Sequence, residues 1–209
     1  MCHGWRFDYL VVLTEKVFIK VWGQMSFSVK IVVFLIASIG LTWVSLRSLR
    51  DFRSHGFYRF FAWETLLILV LLNLNDWFLE PFSLHQIISW ILLICCLFLV
   101  IHGIYLLRVA GKPDGDRRDP TLVGLEKTTE LVTIGAYRYI RHPLYSSLLL
   151  LAWGAFFKNP SYLGGFLTLL ASFFLTVTAK IEEAENIGFF GEAYKRYMRR
   201  NKMFIPFIF

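Results

Sequence analysis

The chain is poor in the residues on which secreted scaffolds and soluble catalysts rely. Three of its 209 residues are cysteine. Cys95 and Cys96 are neighbours inside an apolar run and Cys2 is at the terminus, so there is no disulfide framework. No Cys/His spacing resembles a metal site. There is no G-x-G and no P-loop, which excludes the common soluble nucleotide fingerprints. Charged residues make up 18%, against roughly 25% in soluble domains. The net charge of +7 does not point to nucleic acid. The basic residues cluster beside apolar segments, where they set topology and touch anionic lipid.

What is abundant is hydrophobic. Such residues make up 56% of the chain, with 21 Phe and 7 Trp, a composition of multi-pass membrane proteins. The expectation is an all-α membrane protein of about five apolar segments. These are Phe27–Leu46, Phe60–Phe78 with Trp63 and Trp77 near its ends, Leu84–Leu107, Leu144–Phe157 and Tyr162–Ala179. The fourth has 14 residues, short of the roughly 17–25 that span a bilayer. KNPS at 158–161 turns it back, so the fourth and fifth read as a helical hairpin.

Three regions follow: an N-terminal extension (1–26), three membrane helices (27–107) and a C-terminal region (108–209) with the hairpin and a final helix. Basic residues concentrate in the 47–59 loop, the 108–141 loop and the tail from Lys180. Positive-inside puts these in the cytoplasm and the N-terminus outside. In the extension, DYLVVL is too short and acidic for the core of a cleaved signal peptide. Two readings stay open there: a start at Met25, or a short interfacial helix. The 108–130 loop exceeds the usual 2–8 residues between packed helices, which favours a functional loop.

Two stretches carry chemistry. In GAYRYIRHPLYSS (135–147), Pro143 suits the first turn of a helix and pushes His142 toward extended backbone. The free N–H groups at that helix end form an anion site, and Arg141 adds a full charge. Tyr137 and Tyr145 flank it. In TAKIEEAENIGFFGEAYKRYMRR (178–200), Glu182 and Glu183 end an apolar stretch without acids. An acid at that depth is either partnered or functional. One reading pairs Glu182 with Arg138 or Arg141 as a clamp. After Gly191, Tyr194, Tyr197 and Met198 share one helical face and Lys195, Arg196, Arg199 and Arg200 fall mostly on the other, a basic amphipathic helix suited to a membrane surface. FIPFIF ends the chain as an apolar anchor or plug. Arginine, histidine, a carboxylate and aromatics together suit an amino-acid-like heterocyclic cofactor. A sulfonium would gain roughly 0.5–2 kcal/mol from an aromatic face.

LVTIGAYRYIRHPLY, the hairpin, then EE and FFGEAYKRY resemble the isoprenylcysteine carboxyl methyltransferase family over roughly residues 85–209. The resemblance implies an integral membrane enzyme using S-adenosylmethionine on a lipophilic acceptor, such as a prenylcysteine, an amino-lipid or a small thiol. It implies cofactor contacts from Thr129, Glu130, Leu131, Val132, Tyr137, His142, Pro143, Leu144, Tyr145 and Glu182. No metal or nucleic acid is implied. Prenylcysteine enzymes carry a substrate-binding arginine four residues before the glutamate, where this chain has Thr178. Lys180 and Arg108 are the candidate replacements. The alternatives are a nicotinamide-dependent lipid or sterol reductase, whose relatives share the pocket, and a non-catalytic protein with a vestigial one. Asn73, Asn75, Asp76 and His102 read as helix–helix hydrogen-bonding groups.

Overall fold

A computed structural model describes residues 25–112 and 128–206. The readings of residues 1–24, most of the 108–130 loop and the last three residues of FIPFIF fall outside these. Among the described residues the protein is an all-α multi-pass membrane protein. Its helices are α1 (Phe27–Ser45), α2 (His55–Leu72), α3 (Leu84–Ala110), α4 (Pro143–Phe156), α5 (Tyr162–Phe190) and α6 (Glu192–Arg200). α1, α2, α3 and α5 are long and apolar enough to cross a bilayer, and α4 is the short fourth segment.

Short polar residues start these helices. Ser26, Ser54 and Ser161 accept from the backbone N–H of Val29, Gly56 and Gly164 respectively, satisfying donors that a helix leaves unpaired. Two expected boundaries move. The second segment is His55–Leu72 and not Phe60–Phe78. The Ser54 cap starts it five residues earlier, and Asn73 closes it, its N–H donating to Leu69 O. Trp77 therefore lies beyond the helix. The fifth segment continues from Ala179 to Phe190, where Glu183 and Glu185 reach protein partners, Arg141 and His55 respectively, and the helical ladder stays intact. It ends at Gly191, with φ +60° and its N–H bonded to Ile187 O.

α2 packs most extensively on α5 and α3 on α4, while α4 also lies against α5. In the most apolar stretch, 44% of α2 and 39% of α5 residues are buried, against 11% of α3 and none of α1. The core is therefore centred on the α2–α5 seam, and α1 and α3 leave most of their apolar surface exposed. Leu66, Leu69, Ala152, Ala155, Leu167 and Ala171 form one cluster there; Ala62, Tyr145, Leu175, Ala179, Met203 and Phe204 form another nearer the α5 C-terminus. α1 is tied to α2 by a hydrogen bond between Ser38 Oγ and the Glu64 carboxylate, an intramembrane acid that the sequence reading passed over.

At the end of the bundle holding the hairpin turn, polar groups close the structure as expected. Asn73 Nδ2 donates to Ala155 O at 2.8 Å, Asn159 Nδ2 to Asp76 Oδ2 at 3.0 Å, and Asn75 brackets the backbone of Met25. Lys158, 1% exposed, holds its Nζ 3.5 Å from the Trp90 ring centre and 5.4 Å from that of Trp77, and donates to Gln86 Oε1 at 3.0 Å. A buried ammonium persists only when charge and protons find such partners. Lys158→Met, which keeps the volume and removes the charge, is expected to destabilise the protein by about 1–3 kcal/mol. Thermal unfolding in detergent checks this; an unchanged midpoint would leave the turn to its backbone bonds alone.

Candidate functional site

At the opposite end, residues 137–146 and the C-terminal segment are laced together. Arg141 N donates to Lys202 O at 2.8 Å, His142 N to Met203 O at 3.2 Å and Lys202 N to Tyr139 O at 3.2 Å. Tyr197 Oη and Asn201 Nδ2 each donate to Tyr137 O at 2.7 Å. Gly135 lets the same segment approach α3: its φ is +58°, and a Cβ there would stand 2.7 Å from His102 Nε2. That ring nitrogen accepts from Ala136 N at 3.4 Å, which gives His102 the helix-packing role expected of it.

The paired glutamates separate in function. Glu183 is buried. Its Oε1 accepts from Arg141 Nε at 2.6 Å and lies 3.2 Å from His142 Nε2. Arg141 Nη1 donates to Met198 O at 3.2 Å and also to Asn201 O. The clamp read for Glu182 therefore belongs to Glu183, one residue on. The charge that Arg141 was expected to lend to the helix N-terminus is directed at Glu183 and two carbonyls. His142 caps α4 with φ −123° and ψ 64° and stacks on Tyr145 at 5.4 Å. Arg138 is exposed and has no partner among the described residues.

Glu182 instead turns into a narrow, partly open cleft of about 90 Å³. Glu182, Asn186 and Phe190 line it as a stripe four residues apart on α5, facing His142, Leu144 and Tyr145 of the α4 start. Leu107, Thr128, Leu131 and Val132 close one side and Tyr137, Tyr194 and Tyr197 another, with Arg141 at the wall. The closest basic group recorded for the Glu182 carboxylate is His142 Nδ1, at 3.9 Å. Burial, and next the charge of Glu182, raise the ionisation of Tyr137 and Tyr194 well above the ordinary tyrosine value, so both hydroxyls stay neutral. One carboxylate among aromatic faces and neutral hydroxyls favours a cation.

The structure gathers Leu131, Val132, Tyr137, Arg141, His142, Leu144, Tyr145 and Glu182 of the expected set around this cleft. It does not gather three others. Thr129 Oγ1 donates to Lys112 O at 2.9 Å, Glu130 pairs with Lys112 Nζ at 2.6 Å, and Pro143 packs beside Gly103. Leu107, Thr128, Asn186, Phe190, Tyr194 and Tyr197 were missed. Asn186 and Phe190 could have been read from the four-residue spacing after Glu182.

The family model described as phospholipid methyltransferase matches residues 84–196, the stretch that builds this cleft. The chain belongs to the phospholipid methyltransferase family. Curated relatives of this family member include methanethiol S-methyltransferase of Pseudomonas deceptionensis, 26% identical over 57% of this chain and 42% of the relative. Methanethiol S-methyltransferase 1 of Bradyrhizobium diazoefficiens is 33% identical over 41% of this chain and 30% of the relative. Protein-S-isoprenylcysteine O-methyltransferase of Schizosaccharomyces pombe is 37% identical over 37% of this chain and 34% of the relative. The chain thus matches less than half the length of each. No solved structure matches it.

The division between the two glutamates gives a direct expectation for this family member. Glu183→Ala strands a buried guanidinium and should cost about 3–5 kcal/mol. Glu182→Gln, with no strong protein partner to lose, should stay within about 0.5 kcal/mol of the parent. Denaturation of both variants in the same detergent makes the comparison; equal losses would contradict the division.

Proposed function

We propose that this chain is an integral membrane methyltransferase that uses S-adenosylmethionine on a lipophilic or small thiol acceptor, its site facing the cytoplasm. The observation that carries the reading is the Glu182 carboxylate, with His142 Nδ1 at 3.9 Å and outside the Arg141–Glu183 pair, inside an aromatic cleft in the segment matched by the family model. The charge-rich ends of the segments support the cytoplasmic orientation.

The donor set fits the cofactor. Glu182 suits its ammonium, the rings of Tyr137, Tyr194 and Phe190 suit a sulfonium or a heterocycle, and the α4 N-terminus suits a carboxylate. Bound there, S-adenosylmethionine supplies an electrophilic methyl group for in-line displacement by the acceptor. The protein's own part is placement. The Arg141–Glu183–His142 cluster fixes the α4 start against α5, and the tyrosines keep water out of the reacting volume. Neutral Tyr hydroxyls orient polar groups without adding charge.

The acceptor reading follows from Thr178. Its side chain is fully buried and Oγ1 donates to Phe174 O at 2.7 Å. It cannot replace an arginine facing an anionic substrate, and Lys180 and Arg108 are exposed. This favours a neutral thiol or amine, in keeping with the names of the methanethiol relatives. A charge-assisted hydrogen bond contributes roughly 1.5–3 kcal/mol, so N-acetyl-S-farnesylcysteine should be methylated about ten- to a hundredfold less efficiently than the best neutral acceptor. The assay is transfer of radiolabelled methyl from S-adenosylmethionine to farnesylcysteine, an amino-lipid and a small thiol in parallel. Label in none of the three would count against the enzyme reading, and efficient, saturable labelling of farnesylcysteine against the acceptor reading.

A further inference from the structure

Behind the cleft lies a second one of opposite character. Leu131 and Tyr197 form walls of both. The second is an open concavity of about 500 Å³ lined by Arg138, Arg196 and Arg200, with no carboxylate among its described lining residues. All three arginines are exposed. Arg196 only feels the more distant charge of Glu192, one turn earlier on α6, which is already paired with Lys195. None of the three has a hydrogen bond or close ion pair among the described residues. Cationic side chains nearby do: Lys112 pairs with Glu130, Lys195 with Glu192 and Arg141 with Glu183. A third cleft, containing Arg199, Arg200 and Lys202, adjoins at Arg200. Three like charges held on one concave surface repel one another, and a multivalent anion relieves that repulsion.

The position says where the anion comes from. Arg138 stands five residues before the first residue of α4, and Arg196 and Arg200 follow within ten residues of the end of the membrane helix α5. Ile134 and Tyr139, 53% and 49% exposed, flank Arg138 in sequence and offer apolar contact at the same level. Guanidinium forks match phosphate oxygens, and basic residues at a membrane edge attract anionic headgroups.

We propose that the Arg138–Arg196–Arg200 cleft is a binding site for the phosphate of an anionic phospholipid in the adjoining leaflet, distinct from the Glu182 cleft. A bound headgroup would join the 135–138 turn to α6, the two elements that already meet where Tyr197 bonds Tyr137 O. The site does not depend on the methyltransferase reading, since no cofactor enters the argument.

The test is native mass spectrometry of the purified, delipidated protein with chain-matched phosphatidylglycerol and phosphatidylcholine, without cofactor. The parent should retain phosphatidylglycerol with a preference of at least about tenfold. The R138Q/R196Q/R200Q variant should lose that preference while its melting temperature is unchanged, and R138K/R196K/R200K should keep most of it. Equal retention of both lipids by the parent, or an undiminished preference in the glutamine variant, would overturn the proposal. Displacement of the lipid by millimolar inorganic phosphate would also overturn it, by making the site one for soluble anions.

Discussion

The contact on which the rest of the site depends is the buried ion pair between Arg141 and Glu183. Taking two charges out of water is costly, and their attraction offsets the cost only when the remaining protons and lone pairs are also engaged. Here they are engaged by His142 Nε2 and by the carbonyls of Met198 and Asn201. The pair therefore does more than join two helices. It fixes the start of α4 against α5, and through the carbonyls it draws the end of α6 onto both. The backbone bonds of Arg141 and His142 to residues 202 and 203 tie the same end to the C-terminal segment, and the ion pair ties it to α5.

A second consequence is electrostatic sorting. With Arg141 committed to Glu183, the cleft keeps one net carboxylate, Glu182, surrounded by aromatic rings. The unpaired arginines stand on the far side of the Tyr197 wall. Negative charge faces inward to a cation-accepting cleft and positive charge faces outward to anions. The two preferences would cancel if Arg138 reached Glu182, as one reading of the sequence had it. The basic helix expected to lie on the membrane likewise has its aromatic face occupied by protein: Tyr194 and Tyr197 are buried, leaving its arginines at the outer surface.

Hydropathy made the number of apolar segments legible, and the 14-residue fourth segment with its turn made the hairpin legible. Boundaries were less so, because hydropathy stops where charge begins whereas a helix stops where its hydrogen bonds do. That is why Lys180, Glu182 and Glu183 ended the fifth segment on paper while α5 runs on to Phe190. The motif residues around His142 were legible from Pro143 and from their resemblance to a family. Which of two adjacent glutamates meets the arginine was not, since one residue is a rotation of about 100° around the helix and only the docked partner decides it. The turning of Thr129 and Glu130 toward Lys112 has the same cause. Asn186 and Phe190 were readable from spacing and went unread, and Glu64 was overlooked within an otherwise apolar stretch.

The central claim is that Glu182 is the ligand-facing member of the pair. Isothermal calorimetry of S-adenosylhomocysteine binding to the parent and to Glu182→Gln, both in the same detergent, tests it most directly. Loss of one charge-assisted hydrogen bond predicts an affinity at least about tenfold weaker, with the variant still folded by its melting temperature. An affinity equal to that of the parent would contradict the account.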